Sequence, residues 1–226
     1  MLDVSGLAKL CRILSSRETG ASLRTVGFHV KRGPDYPYHL ARDQAAQLAD
    51  FEALLRDKAV PLGLVSQGDA DDLHERHILD SLRAAPLFRP NDTRALDLGS
   101  GTGLPGIVLA IAVPRCRFVL AEPRRRRAGF LELAVDRLEL PNAEVAVARA
   151  EELTGEWDVA TARAFAPPVQ AWAIGQRLLR PGGRLIYFAG SREPVEGFAE
   201  DLHPQPVDIE VRGLANFPPL VIMTRG

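Results

Sequence analysis

The run Leu96-Asp97-Leu98-Gly99-Ser100-Gly101-Thr102-Gly103-Leu104-Pro105-Gly106 carries an apolar strand into a glycine-rich turn and on toward a helix. Glycines allow a tight turn with positive φ, let a ligand lie against bare backbone, and let the next helix pack close to the strand. A dinucleotide-phosphate fingerprint of the G-x-G-x-x-G form needs a glycine at position 104, where this chain has leucine. The pattern is instead G-x-G-x-G with an acid two residues ahead, and no lysine follows to grip a phosphate. Such a loop suits S-adenosylmethionine better than NAD or ATP. Gly99, Gly101 and Gly103 are therefore the first cofactor candidates; a plain structural turn is the competing reading of the loop alone.

A chain of 226 residues, 46% hydrophobic and 25% charged, suffices for one main globular domain with an appendage. No apolar run approaches the roughly 20 residues of a membrane span, and the first residues lack the uninterrupted apolar segment of a signal peptide. A cytoplasmic location and no membrane association are expected. Cys11 and Cys116 are the only cysteines and lie far apart, so neither a disulfide framework nor a metal site is expected. The formal net charge of -1 gives no global sign of nucleic-acid binding, so any such binding has to come from local patches. Lysine occurs only at 9, 31 and 58, which leaves arginine to supply them, although GC-rich coding produces the same bias.

From residue 94 onward short apolar strands alternate with helix-length segments, the pattern of an α/β domain with a mainly parallel sheet. Strands are expected at 95–98, 118–121, 144–148, 159–162 and 184–188. Helices are expected at 107–112, at 124–138 and around Trp172 to Leu179, the last leading into a Pro181-Gly182-Gly183 turn. A short helix near 194–202 precedes strands at 209–211 and 220–224, whose direct connection suits an antiparallel last strand. The division is a poorly ordered tail over 1–40, a helical extension over 41–90 and the α/β domain over 91–226. Within the extension two helices are expected, 43–58 and 69–85, separated by Val60-Pro61-Leu62-Gly63. In the tail, Ser16-Arg17-Glu18-Thr19 and Phe28-His29-Val30-Lys31 are both encoded, in different frames, by the palindrome GTTTCACGTGAAAC, which resembles a bacterial partition-site repeat. Translated regulatory DNA ahead of a later start is one reading of that segment and a plain mobile tail the other, and neither gives it chemistry.

Glu122 ends the second strand about twenty residues beyond the loop, where an acid accepts hydrogen bonds from ribose hydroxyls. Ala150-Glu151 closes the third strand, and Glu151 or its backbone is placed to read an adenine amino group. Arg163 ends the fourth, on the edge where a methyl acceptor enters, and Phe165 beside it can stack on an unpaired base. Arg124 and Arg125 begin a run of four arginines at a helix amino terminus and are candidates for phosphate. Neighbours on a helix lie about 100° apart, so the four cannot share one face. His77, Asp80 and Ser81 fall on one side of a helix; His77 is a substrate-side candidate, with a packing cluster as the bland alternative. Neither an Asp/Asn-Pro-Pro-Tyr motif nor a Pro-Cys nucleophile is present, so no catalytic residue is assigned.

Taken in order, Glu75-Arg76-His77-Ile78-Leu79-Asp80-Ser81-Leu82, Leu96 to Gly106, Arg149-Ala150-Glu151-Glu152, Arg163-Ala164-Phe165-Ala166-Pro167 and Pro181-Gly182-Gly183-Arg184-Leu185 resemble the bacterial small-subunit ribosomal RNA guanine-N7 methyltransferases, also called glucose-inhibited division protein B. The resemblance covers about 60–226. It implies a Rossmann-like class I methyltransferase fold, S-adenosylmethionine as donor, and N7 of a guanine in ribosomal RNA of the small ribosomal subunit as acceptor, in a protein expected to be a monomer. By motif position it carries cofactor contact to Gly99, Leu104, Ala150, Glu151 and Arg163. Two departures stand out: Ala189-Gly190 replaces a usual Lys-Gly at the end of strand five, and Gly63-Leu64-Val65 replaces a frequent Asn-Leu-Thr. A class I methyltransferase with another substrate and a non-catalytic cofactor-binding, ribosome-docking protein are the rival readings.

Overall fold

The computed structural model describes residues 40–190, 207–214 and 217–226. The tail, the helix expected near 194–202 and Cys11 lie outside them.

Seven strands form one sheet in the order β3-β2-β1-β4-β5-β7-β6. They are β1 Arg94–Leu98, β2 Arg117–Ala121, β3 Ala143–Ala146, β4 Trp157–Arg163, β5 Leu179–Phe188, β6 Val207–Leu214 and β7 Phe217–Arg225. Pairing is parallel from β3 through β5, and β7 runs antiparallel to both β5 and β6. The central strands are covered on both faces, which is why they read as apolar runs without alternation. Leu98 pairs with Ala121 on one side and Ala162 on the other, so β1, β2 and β4 end level at one edge. The chain order reverses between β1 and β4, and open α/β sheets bind ligands outside the carboxyl ends at that crevice.

Helices α4 Gly106–Ala112 and α5 Arg125–Arg137 pack on one face with the segments that precede β1. Helix α6 Pro168–Leu178 packs on the other. Along β5 the side chains alternate accordingly, Ile186 and Phe188 joining the first apolar cluster and Leu185 and Tyr187 the second. The extension opens with α1 Arg42–Leu54, prolonged by a π-helical turn over Leu55–Ala59. Its Phe51 and Leu55 are fully buried in the cluster that contains Ile107 and Leu131. Truncating a phenylalanine so placed costs about 3–5 kcal/mol. Gln44 Nε2 donates to Ile111 O at 2.7 Å and Gln47 Nε2 to Leu138 O at 2.9 Å, which tie α1 to α4 and to the end of α5.

Three local expectations are corrected. The second extension helix is broken into α2 Gln67–Ala70, a π-helical stretch Leu73–Leu79 and α3 Asp80–Leu82, because Asp72 leaves helical geometry at φ -108, ψ 16. Strand β3 stops at Ala146 rather than 148, since Ala148 N turns back to Ala146 O at 2.9 Å. Strand β5 starts at Leu179, paired with Trp157, so the Pro181-Gly182-Gly183 segment is an irregularity inside the strand rather than a turn ahead of it. A Cβ on Gly183 would stand 2.8 Å from Arg180 O and 2.9 Å from Trp157 O, so this close approach requires glycine.

Candidate functional site

Asp97 organises the glycine turn from inside the sheet. It is wholly buried; Oδ2 accepts from Gly106 N at 3.1 Å and Oδ1 from Thr161 Oγ1 at 2.6 Å. Burial pushes its carboxyl up to about 6, with hydrogen bonds from Thr161, Ser100 and Gly106 opposing. One side chain thus fixes the start of α4 and the seam between β1 and β4. Ser100 N donates to Ala121 O at 2.9 Å and Gly103 N to Ser100 O at 2.8 Å, so the turn is drawn over the end of β2. Gly99 has φ +66, and a Cβ there would stand 2.7 Å from Phe165 Cδ2. Gly101 has φ +58 and nothing closer than 3.8 Å to where its Cβ would be. Leu104 is half-buried and packs against the cluster beneath α4.

Glu122 is 2% exposed and stands just beyond β2. Its Oε2 accepts from Gly101 N at 3.1 Å and its Oε1 from Arg124 N at 2.9 Å. Its hydrogen-bond partners among the described residues are backbone amides, not the neighbouring guanidinium groups. Arg124 is the N-cap of α5, and Arg124, Arg125 and Arg126 are exposed. Arg126 Nη2 donates to Leu62 O at 2.6 Å, which ties α5 to the loop before Gly63-Leu64-Val65. Ala150 and Glu151 open a short 3₁₀ turn after β3. Ala150 is buried in the cluster that holds Leu98 and Ala121, while Glu151 is exposed and its carbonyl accepts from Arg177 Nη2 at 3.3 Å.

Beyond the carboxyl ends of β4 and β5 opens a pocket of about 790 Å³. Arg163, Phe165 and His77 all line it, together with Asp80, Tyr187 and Phe217. Arg163 Nη2 donates to Arg76 O at 2.9 Å, lies 2.7 Å from His77 Nδ1 and 3.6 Å from Asp80 Oδ2. Its close partners therefore belong to the extension, not to the glycine turn. Because a guanidinium only donates, His77 Nδ1 accepts and the ring proton sits on Nε2. Burial, and then the charge of Arg163, hold His77 below the usual imidazole range, so the ring is neutral at pH 7. His77 Nε2 and Arg163 Nη1 are buried without a hydrogen-bond partner among the described residues. Ser81 Oγ donates to His77 O at 2.6 Å and so serves the helix, whereas Asp80 Oδ1 takes Arg83 Nε at 3.0 Å. Ala189 is a buried part of the pocket wall, with its N–H on Pro219 O at 3.2 Å.

The structure thus brings Gly99, Gly101, Glu122 and Phe165 into one contact group, and Arg163 and His77 into another joined to it by Phe165. Glu151, Arg124 and Arg125 are exposed and do not line the pocket. Sequence reading noted the acid ahead of the glycine pattern but gave Asp97 no role, and it missed Thr161 and the Asp80–Arg163 contact; a carboxylate inside an otherwise apolar strand was the available signal for the first. Among the described residues no helix is long and apolar enough to cross a membrane, and no group of His, Cys, Asp and Glu could hold a metal ion.

The family model described as GidB, rRNA small subunit methyltransferase G, matches residues 44–208. Proteins named ribosomal RNA small subunit methyltransferase G are similar in sequence. The one from Acidiphilium cryptum is 42% identical over 154 residues, covering 67% of this chain and 70% of that protein. The one from Clavibacter michiganensis subsp. michiganensis is 41% identical over 144 residues, covering 63% and 67%. Among solved structures, the SAM-dependent O-methyltransferase of Thermotoga maritima superposes with a TM-score of 0.56 at 20% identity, over 70% of this chain and 69% of that one. The O-methyltransferase of Bacillus cereus, solved in complex with SAH, gives 0.55 at 16% identity, over 80% and 91%. The structural likeness establishes the class I methyltransferase fold. With its motifs in order on that fold and the family model spanning most of its length, the chain belongs to the GidB family, rRNA small subunit methyltransferase G.

Proposed function

We propose that this chain transfers a methyl group from S-adenosylmethionine to N7 of a guanine in the ribosomal RNA of the small subunit, as a cytoplasmic monomer. The observation that carries the reading is the bare glycine turn held to a buried carboxylate, Glu122, beside a pocket walled by Arg163 and Phe165. The residues fit the cofactor. Nothing crowds Gly101 closer than ordinary van der Waals contact, and each oxygen of Glu122 holds one backbone N–H, leaving capacity to accept from ribose hydroxyls. Ala150 and Glu151 are assigned to the adenine end. When bound, S-adenosylmethionine supplies an electrophilic sulfonium methyl group.

Guanine N7 offers its own lone pair, so the transfer needs no general base, and the chain contributes alignment and electrostatics. Phe165 is assigned to stack on the guanine, which would seat the base between the glycine turn and the pocket wall. The Arg163 Nη1 donor, unpartnered among the described residues, favours an acceptor-bearing ligand in the pocket, since a buried donor left unmade costs about 1–3 kcal/mol; His77 Nε2 faces the Asp69 carboxylate at 3.8 Å. The acids nearby are compensated: Asp80 by Arg83 and Arg163, Glu122 by two amides. Incubation of small subunits from cells lacking this gene with methyl-tritiated S-adenosylmethionine tests the reading. The label is expected in ribosomal RNA as N7-methylguanine; label in protein or in small molecules instead would replace it with another class I acceptor.

A further inference from the structure

The edge of the sheet opposite the site carries a charge pattern that the methyl transfer does not use. Arg94 and Arg117 open β1 and β2 and are register partners, so their exposed side chains stand on the same face of adjoining parallel strands. Such strands lie about 4.8 Å apart, and like charges directly abreast are destabilising. Arg89 and Arg115 are exposed at the same edge, where Arg115 Nη2 donates to Phe88 O at 3.1 Å and to Arg89 O at 3.2 Å. The buried carboxylates there are already engaged. Asp92 takes Arg184 and the N–H of Arg89 at 2.6 Å; Asp158 takes Arg180 and the N–H groups of Thr93 and Arg94 at 2.7 and 2.9 Å. Glu156, exposed, acts on Arg180. Among the described residues none of Arg89, Arg94, Arg115 and Arg117 has a carboxylate partner.

We propose that this edge is a second RNA-binding surface, taking the sugar-phosphate backbone of a segment other than the one presented to the pocket. The proposal rests on the ribosomal RNA reading. Guanidinium forks match phosphate oxygens two at a time. An acidic protein partner is disfavoured because the buried core of a protein interface is apolar and depleted of charge. The exposed large apolar residues among those described, Leu62, Leu133 and Val147, are on other parts of the molecule. From Arg94 to Leu98 the strand rises about 13 Å, so a short RNA seated at the carboxyl edge does not reach the patch, whereas a long folded RNA does.

The full chain carrying Arg94→Gln and Arg117→Gln tests this by fluorescence anisotropy against full-length small-subunit ribosomal RNA and against a short guanine-containing oligonucleotide. Binding of the long RNA is expected to weaken about tenfold near physiological salt, with the log–log salt slope reduced by up to about two. Affinity for S-adenosylmethionine and for the oligonucleotide is expected to stay at the wild-type value. Because the Arg94 guanidinium lies over the Trp157 ring, 5.3 Å from its centroid, the pair Arg89→Gln with Arg117→Gln is measured alongside and is expected to act in the same direction. Wild-type slope and affinity in both variants would overturn the second surface while leaving the ribosomal RNA reading intact. Absence of salt-dependent binding in the wild-type chain itself would overturn both.

Discussion

Asp97→Asn is the substitution that separates the energetics of the site's frame from its chemistry. The carboxyl titrates near 6 in the folded chain, raised from 3.8 by burial. A raised acid stabilises the fold fully below its unfolded value, and that contribution is lost as pH rises through the folded one. Two units correspond to about 3 kcal/mol, at 1.36 kcal/mol per unit. The ionised carboxylate therefore costs about that much above pH 7, about half of it at pH 5, and very little below pH 4. Asparagine has the same shape; its oxygen can keep the Gly106 N–H, and its NH₂ can donate to a rotated Thr161 hydroxyl. Urea unfolding of both proteins from pH 4 to 7.5 is the assay. The difference in unfolding free energy, variant minus wild type, is expected to rise by roughly 2–3 kcal/mol from pH 4 to 7.5, every other titration being shared. A difference that stays level across that range would refute the raised carboxyl.

Glu122→Ala is expected to weaken S-adenosylmethionine by about 1.5–3 kcal/mol, the range for hydrogen bonds to a charge; an unchanged calorimetric affinity would leave Glu122 to the turn alone. Ala164 holds φ +49 directly after Arg163. Ala164→Gly relieves about 1–2 kcal/mol of left-handed strain against about 0.5–1 kcal/mol of entropy, so a small rise in thermal midpoint is expected, and a fall would argue that the methyl group packs. Burial pushes Asp158 up, but Arg180 and the N–H groups of Thr93 and Arg94 outweigh it and hold it at about 2. Wild type is therefore expected to lose stability as pH falls from about 4 toward 2, and Asp158→Asn to lose less over the same span. Phe165→Leu is expected to raise the Michaelis constant for ribosomal RNA about tenfold, in line with about 1–3 kcal/mol per stacked base, with cofactor affinity held; equal constants would remove the stacking role.

The strands of the parallel sheet were legible because each is a short apolar run bounded by a turn, and the glycine turn because its residue types leave few other conformations. The break at Asp72 was not, since Ala70 ahead of it and Leu73 and Ile78 beyond it are all buried and so preserve a helical period across it. Long-range polar contacts left no local trace. Asp97 meets Thr161 across 64 positions and Arg163 meets Arg76 across 87, and nothing near any of these residues says which partner the fold will deliver. Placing Arg163 at the end of β4 was possible from the strand pattern; learning that its guanidinium is held by the extension required the fold.

The bond from Gly101 N to Glu122 has a thermodynamic corollary. A loop whose amide is already tethered to the side chain proposed to receive a ribose has surrendered its freedom before any ligand arrives. Association then spends little on ordering, and the empty and filled forms of the turn should exchange amide hydrogens at comparable rates. It also makes the carboxylate a shared acceptor, so whatever a ribose draws from Glu122 is drawn in part from the loop's own anchor, and ligand affinity and local rigidity vary together.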